Sequence, residues 1–197
     1  MGTRYVDKDT MIRIDFVFKG GIISMLKLVK PEKKYERQYK EMMDEWHSVG
    51  EKIIPYSIRR LDYKNFDKYL RGFEEERNGC LYGGIPATTL WAYDDEPDII
   101  VGTVNIRHWL SKALLVNGGH IGDGIRPSER KKGYATKMIA LALEECKNLN
   151  IDRVLMVCYK DNIGSAKSII NNGGIIENEI INDDGTIDQR YWIELYT

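Results

Sequence analysis

A mixed α/β (α+β) fold is predicted for this 197-residue chain by three observations. From Leu26 to the C-terminus, stretches of helical periodicity alternate with short runs rich in β-branched residues. Turn signals separate the runs, which number seven. One of them, residues 153–159, is almost continuously apolar, as a strand covered on both faces would be. The composition, 43% hydrophobic and 30% charged, is that of a globular domain rather than a disordered one.

The elements come in order along the chain. Leu26 to Val29 reads as a short strand stopped by Lys30-Pro31. Residues 33–48 predict an amphipathic helix, with Tyr35, Tyr39, Met42, Trp46 and Val49 on one face as core. A second helix is expected over 62–77, with Asp62 as N-cap and Phe66, Tyr69, Leu70 and Phe73 turned inward. Residues 78–86, holding three glycines and a proline, predict a loop. Strands are expected at 88–93, 99–109 and 119–126, then a helix over 133–149 with Ala135, Ile139, Ala142, Cys146 and Leu149 on one face. After the 153–159 strand, a short helix at 162–172 stops at Gly173-Gly174. Strands at 175–181 and 190–196, joined by an Asp-Asp-Gly turn at 183–185, complete the chain.

Composition excludes several functions. The 29 basic and 30 acidic residues leave a net charge of −1, where a nucleic-acid binder would carry a basic excess. No apolar run approaches the roughly 18 residues of a membrane span. Cys80, Cys146 and Cys158 stand singly, and His47, His108 and His120 are the only histidines. No metal site is expected, and a reducing cytoplasmic setting fits. Residues 1–24 differ from the rest of the chain: Asp7, Asp9, Asp15 and Lys19 exclude a good secretory signal. Two readings stand for them, an extension upstream of an internal start at Met25 or a β-hairpin arm built on the alternating MIRIDFVF. A single domain is expected over 25–197.

The most informative stretch is Arg126-Pro127-Ser128-Glu129-Arg130-Lys131-Lys132-Gly133-Tyr134-Ala135-Thr136. A strand leads into a turn, then basic residues, then Gly133 and Ala135 opening a helix. Small residues let a ligand approach the backbone N–H groups, and the helix start carries partial positive charge. That arrangement suits a polyphosphate; a solvated basic turn is the structural alternative. The Walker G-x-x-x-x-G-K-[ST] and dinucleotide G-x-G-x-x-G patterns are absent.

The run R-K-K-G-Y-A resembles the [Q/R]-x-x-G-x-[G/A] motif of the GNAT superfamily of acetyl-CoA-dependent N-acetyltransferases. The strand before it, the buried strand after it, and D-N-I-G-S-A at 161–166, similar to that family's N-x-x-[S/A], fall in the same order. Together they extend the resemblance over about 25–197, most sharply at 119–174. G-I-R-P-S-E-R, K-G-Y-A-T and Q-R-Y-W-I-E-L look most like a bacterial subgroup of undefined acceptor. The resemblance implies a twisted, mostly antiparallel sheet with strands 4 and 5 parallel and splayed, helices on both faces, and acetyl-CoA as cosubstrate.

Carried over residue by residue, it places the pyrophosphate on Arg130, Lys131, Lys132, Gly133, Tyr134, Ala135 and Thr136. Pantetheine would lie along Asp123, Gly124, Ile125 and Arg126, with Asn162 and Ser165 also near the cofactor. Asn162 equally suits a helix N-cap. Transfer would be direct, the acceptor amine attacking the thioester, so no cysteine need be a nucleophile.

Three acid/base slots familiar in the family are empty: Gly119 holds the strand-four glutamate position, Val157 a carboxylate position and Ile169 the tyrosine position. The remaining catalytic candidates are Asp123, which shares strand parity with Gly119, His120 if the strand is bulged, and Tyr159 as an acid for the thiolate. Tyr56, Arg59, Arg107 and Trp192, with Trp46, are the candidate acceptor contacts, a mix suited to a small molecule or peptide bearing an amine and a carboxylate. A homodimer is an expectation for the superfamily only. The competing reading is a non-catalytic acyl-CoA-binding or regulatory domain, motivated by the empty slots.

Overall fold

The computed structural model describes residues 26–79 and 82–196. The readings of residues 1–24 and of Cys80 lie outside the described residues. One seven-stranded sheet runs in the order β1-β2-β3-β4-β5-β7-β6. The strands are β1 (Leu26–Val29), β2 (Ala87–Asp94), β3 (Ile99–Arg107), β4 (Ile121–Ile125), β5 (Arg153–Tyr159), β6 (Ile175–Ile181) and β7 (Ile187–Glu194). All neighbours are antiparallel except β4 and β5, which are parallel.

Two hydrophobic layers sandwich the sheet. On one face, α1 (Glu36–Ser48) packs on β3 and α3 (Phe66–Arg77) on β2. Their aromatic core stacks Tyr39 on Trp91, ring centroids 4.2 Å apart, with Phe66, Tyr69 and Phe73 around them. On the other face, α5 (Tyr134–Asn148) packs across β1, β3 and β4, and α6 (Ile163–Ile170) on β5. The periodic residues of α5, Ile139, Ala142 and Cys146, are fully buried there.

Boundaries shift where local chemistry decides them. The second long helix begins at Phe66, not after Asp62, because Asn65 accepts the Lys68 N–H as its cap while Asp62 closes a turn on Lys64. A short α2 (Tyr56–Arg59) lies in what reads as a connection, and α4 (Lys112–Val116) had no predicted counterpart. Ser111 caps α4 by accepting the Leu114 N–H. The last strand starts three residues early, at Ile187, since its register is set by β5 and β6 rather than by its own pattern. Val49, expected in the core, is 48% exposed at the end of α1.

Candidate functional site

The site is a gap in the sheet. β4 pairs with β5 only at Ile121↔Met156, whereas it pairs with β3 from Ile121 to Ile125. Arg126 N–H donates to Val101 O and Arg107 N–H to His120 O, so the even residues of β4 turn their backbone groups toward β3. Asp123 and Ile125 therefore turn theirs into the gap, where no strand pairs with them. An extended chain laid in the gap would meet those groups as an added strand would.

Gly119 and His120 close the narrow end. Gly119 has φ +64°, and a Cβ there would lie 2.3 Å from Leu155 O. His120 donates its N–H to Leu155 O and accepts the Leu155 N–H on Nδ1 at 2.9 Å. The imidazole thus supplies the acceptor that the β4–β5 ladder would otherwise lack at Leu155 N–H. Burial and the nearby Arg107 guanidinium push its pKa down to about 4, so it is neutral with its proton on Nε2. It is 7% exposed, a pin at the closed end.

The two faces of β4 then diverge. Gly122 and Gly124 face α1 and the connection after it. A Cβ on Gly124 would lie 2.2 Å from Ile54 O and 2.9 Å from the Trp46 ring. One on Gly122 would meet Pro55 and the Arg107 guanidinium. These glycines let residues 53–55 close down as a wall on the strand. Asp123 faces the other way, between the buried Ile121 and Ile125. Its carboxylate takes no hydrogen bond from another described residue, and burial alone raises its pKa to about 6. Cys158 lies across the gap within electrostatic reach of it. Burial raises the Cys158 thiol to about 11 and Cys146 to about 12, so both are protonated thiols.

Beyond β4, the loop changes character halfway. Arg126 through its Nε (2.7 Å) and Nη2, Ser128 N–H (2.7 Å) and Ser128 Oγ (3.0 Å) all donate to Glu45 of α1. Arg130 pairs with Glu51 at 2.6 Å and donates from Nε to Ile125 O at 3.1 Å. From Lys131 to Thr136, by contrast, six successive N–H groups find no acceptor among the described residues. Lys131 (φ 63°) and Gly133 (φ 85°) adopt left-handed conformations that make this stretch a concave nest of donors at the start of α5. No Cβ neighbour crowds Gly133. Such a nest fits a pyrophosphate.

Each remaining candidate has a definite place. Asn162 caps α6 by accepting the Ser165 N–H at 3.1 Å. Asn172 donates to Thr136 O, tying the end of α6 to the nest. Tyr159, at the end of β5, is 49% exposed. Tyr56 lies under the Arg59 guanidinium (4.8 Å), which also donates to Ile53 O. Arg107 donates to Gly118 O and Gly119 O, bracing the start of β4. Trp192 lies 6.4 Å from His120 and under Arg153 at 3.9 Å. The 53–59 segment and the Arg107 side chain meet at Gly122, bounded by Pro55 on one side and the guanidinium on the other. Trp46 is 2% exposed and forms wall rather than pocket. Reading from sequence missed Glu45 and Glu51, whose place opposite the loop no local pattern reveals. The Gly-x-Gly spacing at 122–124 was an available sign of close backbone approach. Among the described residues no three His, Cys, Asp or Glu side chains are placed to hold a metal, and no helix is long and apolar enough to cross a membrane.

A split sheet, a donor nest at the gap's open end and a helix behind it define an acyl-transfer fold of the acetyltransferase type. The chain belongs to the GNAT acetyltransferase family: residues 27–174 match the profile of the Acetyltransferase (GNAT) domain. Solved structures share the fold. The ribosomal-protein-S5-alanine acetyltransferase of Vibrio fischeri aligns at TM-score 0.62 and 17% identity, covering 92% of this chain and 96% of that one. Mycobacterium smegmatis RimJ in complex with CoA-disulfide gives 0.63 and 16%, over 86% and 82%. The microcin C7 self-immunity acetyltransferase MccE in complex with acetyl-CoA and AMP gives 0.60 and 16%, over 86% and 92%. No curated protein sequence matches the chain.

Proposed function

We propose that this protein transfers the acetyl group of acetyl-CoA to a primary amine of a small molecule or peptide by direct attack in a ternary complex. The observation that carries the reading is the run of six N–H groups, 131–136, without acceptors among the described residues, at the mouth of a gap edged by strand backbone that no other strand pairs with. Gly133, Tyr134, Ala135 and Thr136, with the N–H groups of Lys131 and Lys132, hold the pyrophosphate. Asp123 and Ile125 hold the pantetheine amides through their backbone, so of the strand residues those two face it while Gly124 and Arg126 bond to β3. Bound there, acetyl-CoA supplies an activated thioester. MccE, of the same fold, is a structure with acetyl-CoA bound.

Asp123 is the base. An acceptor ammonium must lose a proton before its nitrogen attacks, and a carboxylate near pKa 6 is ionised at neutral pH yet basic enough to take it. Asp123 takes that first proton before attack; as the C–N bond forms and the C–S bond breaks, the second proton shed by the nitrogen balances the one the leaving thiolate takes up from solvent or from Tyr159. His120, with Nδ1 already accepting from Leu155, positions β4 rather than acting as a base. Tyr56, Arg59 and Arg107 border the opposite, Gly122 face of β4, so an acceptor held there would present its amine to Asp123 only by reaching through the gap.

The second reading, an acyl-CoA-binding domain without transferase activity, is favoured by Gly119: Leu155 O leaves no room there for any side chain. Ile169, fully buried, likewise excludes a tyrosine in contact with cofactor. A thermal-shift titration with acetyl-CoA followed by an amine screen for free-thiol release separates them. Stabilisation with amine-dependent thiol release supports the transferase, and stabilisation with no release for any amine supports the binding domain. No stabilisation at saturating acetyl-CoA defeats both.

A further inference from the structure

We propose that Glu45, on α1 and remote in sequence from the loop, is a positioning residue that sets the pyrophosphate nest. The inference rests on the acetyl-CoA reading above. The nest's helix end is held by Lys137 N–H on Gly133 O, Asn172 on Thr136 O and the Tyr134 hydroxyl on Asp94, but the backbone of Lys131 and Lys132, with Lys131 left-handed, has no such tie among the described residues. What fixes that 131–132 end lies immediately upstream. The 127–129 turn is closed by Glu129 N–H to Arg126 O and Arg130 N–H to Pro127 O, and Glu45 anchors that turn to the body of the protein.

Its two oxygens divide the work. Oε1 accepts the Ser128 N–H, as an N-terminal cap supplied from another helix would; Oε2 accepts Ser128 Oγ and the Arg126 guanidinium. The side chains of Glu45 and Arg126 are 21% and 11% exposed, so the pair is shielded. These bonds hold Glu45 ionised, its pKa below the usual carboxylate range despite partial burial. Since Arg126 neutralises it, the carboxylate does not repel a polyanion held a few residues away. Preformed donors cost no reorganisation when the ligand binds, which is where Glu45 acts on affinity.

The sign of the effect distinguishes positioning from charge. Removing Glu45 takes away a negative charge and releases the Arg126 guanidinium, so electrostatics alone predicts tighter CoA binding. Positioning predicts weaker binding. Calorimetric titration of the full chain with CoA should give a Kd about 30-fold higher for Glu45→Ala. Glu45→Gln, which keeps an acceptor for the Ser128 N–H, should recover most of the loss and stay within about fivefold of the unaltered protein. Amide exchange on the free Glu45→Ala protein should show faster exchange confined to the hydrogen-bonded amides of 126–130. Equal or tighter CoA binding by Glu45→Ala, or lost protection spreading through β4 and α1, would overturn the proposal. Absence of CoA binding by the unaltered protein would defeat the acetyl-CoA reading instead.

Discussion

Residues 126–130 and 131–136 are adjacent halves of one loop, and they treat their polar groups in opposite ways. In the first half, both arginines, the serine and the backbone are engaged with Glu45, Glu51, Ile125 O and each other. In the second, six N–H groups stand without acceptors. Unpaired backbone donors are tolerated where water or a ligand reaches them, but a flexible loop would fold them onto its own carbonyls. The first half is given over to structure so that the second half need not be. The formal positive charges nearest β4, the obvious phosphate ligands by residue type, belong to the scaffold.

The strongest way to break the arrangement is from beneath. Gly124 lets the 53–55 segment, carrying Glu51 and the end of α1 with it, close on β4. Gly124→Ala puts a methyl group 2.2 Å from the Ile54 carbonyl, a backbone atom that cannot turn aside. A loss of about 3 kcal/mol in denaturant unfolding is expected. A loss under about 1 kcal/mol would show that the connection yields and does not fix the loop.

Asp123 sets a fold's needs against a site's. Its folded pKa of about 6 lies above the ordinary 3.8, so below pH 3.8 the carboxyl is neutral in both folded and unfolded chains. Between 3.8 and 6 the folded protein binds the extra proton, and its stability falls as pH rises through that window. Asp123→Asn lacks this term. Its stability relative to the unaltered protein should grow from near zero at pH 4 to on the order of 3 kcal/mol at pH 7. His120 has the opposite slope: held at about 4 against 6.5, it stabilises above pH 6.5 and loses that contribution as pH falls toward 4. In the same Asp123 variant kcat should fall about 100-fold with acetyl-CoA affinity unchanged. The unaltered enzyme should lose rate as pH drops below about 6. A variant both no more stable and fully active would remove Asp123 from the mechanism.

Gly133→Glu tests the open half directly. No atom lies within 4 Å of a Cβ at this position, but φ 85° costs a residue with a Cβ about 1 kcal/mol, and the variant adds a negative charge beside the nest. The Kd for acetyl-CoA should rise about 30-fold, while Gly133→Ala, which adds only the strain, should stay within about fivefold. Equal affinities in a titration of the three proteins would place the pyrophosphate elsewhere.

How much of this was legible in the sequence depends on the range of the interactions. The seven strands and the glycine-opened α5 rest on local period and turn chemistry, and residues 153–159 and 175–181 fall as expected, whereas the parallel β4–β5 step came only from the family resemblance. The roles of Arg126 and Arg130 were not legible, because the partner of Arg126 is 81 residues away and on a helix whose visible pattern is its apolar stripe. α4 was legible and overlooked: Ser111 before a run of helix formers is a cap signal. His120 was read for its chemistry, but its hydrogen bonds to Leu155 depend on a parallel neighbour that only the assembled sheet supplies.

The smallest expected effect bears on the same contrast from the side of charge. Lys132 is exposed and paired with Glu129 at 2.9 Å, whereas Lys131 is exposed with no ion pair among the described residues. If backbone donors dominate the nest, each lysine adds only a screened surface charge, worth roughly 0.2–1 kcal/mol. Lys131→Ala should then raise the Kd for acetyl-CoA about threefold in low salt and almost not at all at about 0.5 M salt, and Lys132→Ala less still. A tenfold or larger effect that persists in high salt would mean that a side chain, not the backbone, grips the phosphates. The division of the loop would then have to be drawn one residue further along, with Lys131 counted among direct ligands and only 132–136 as open backbone.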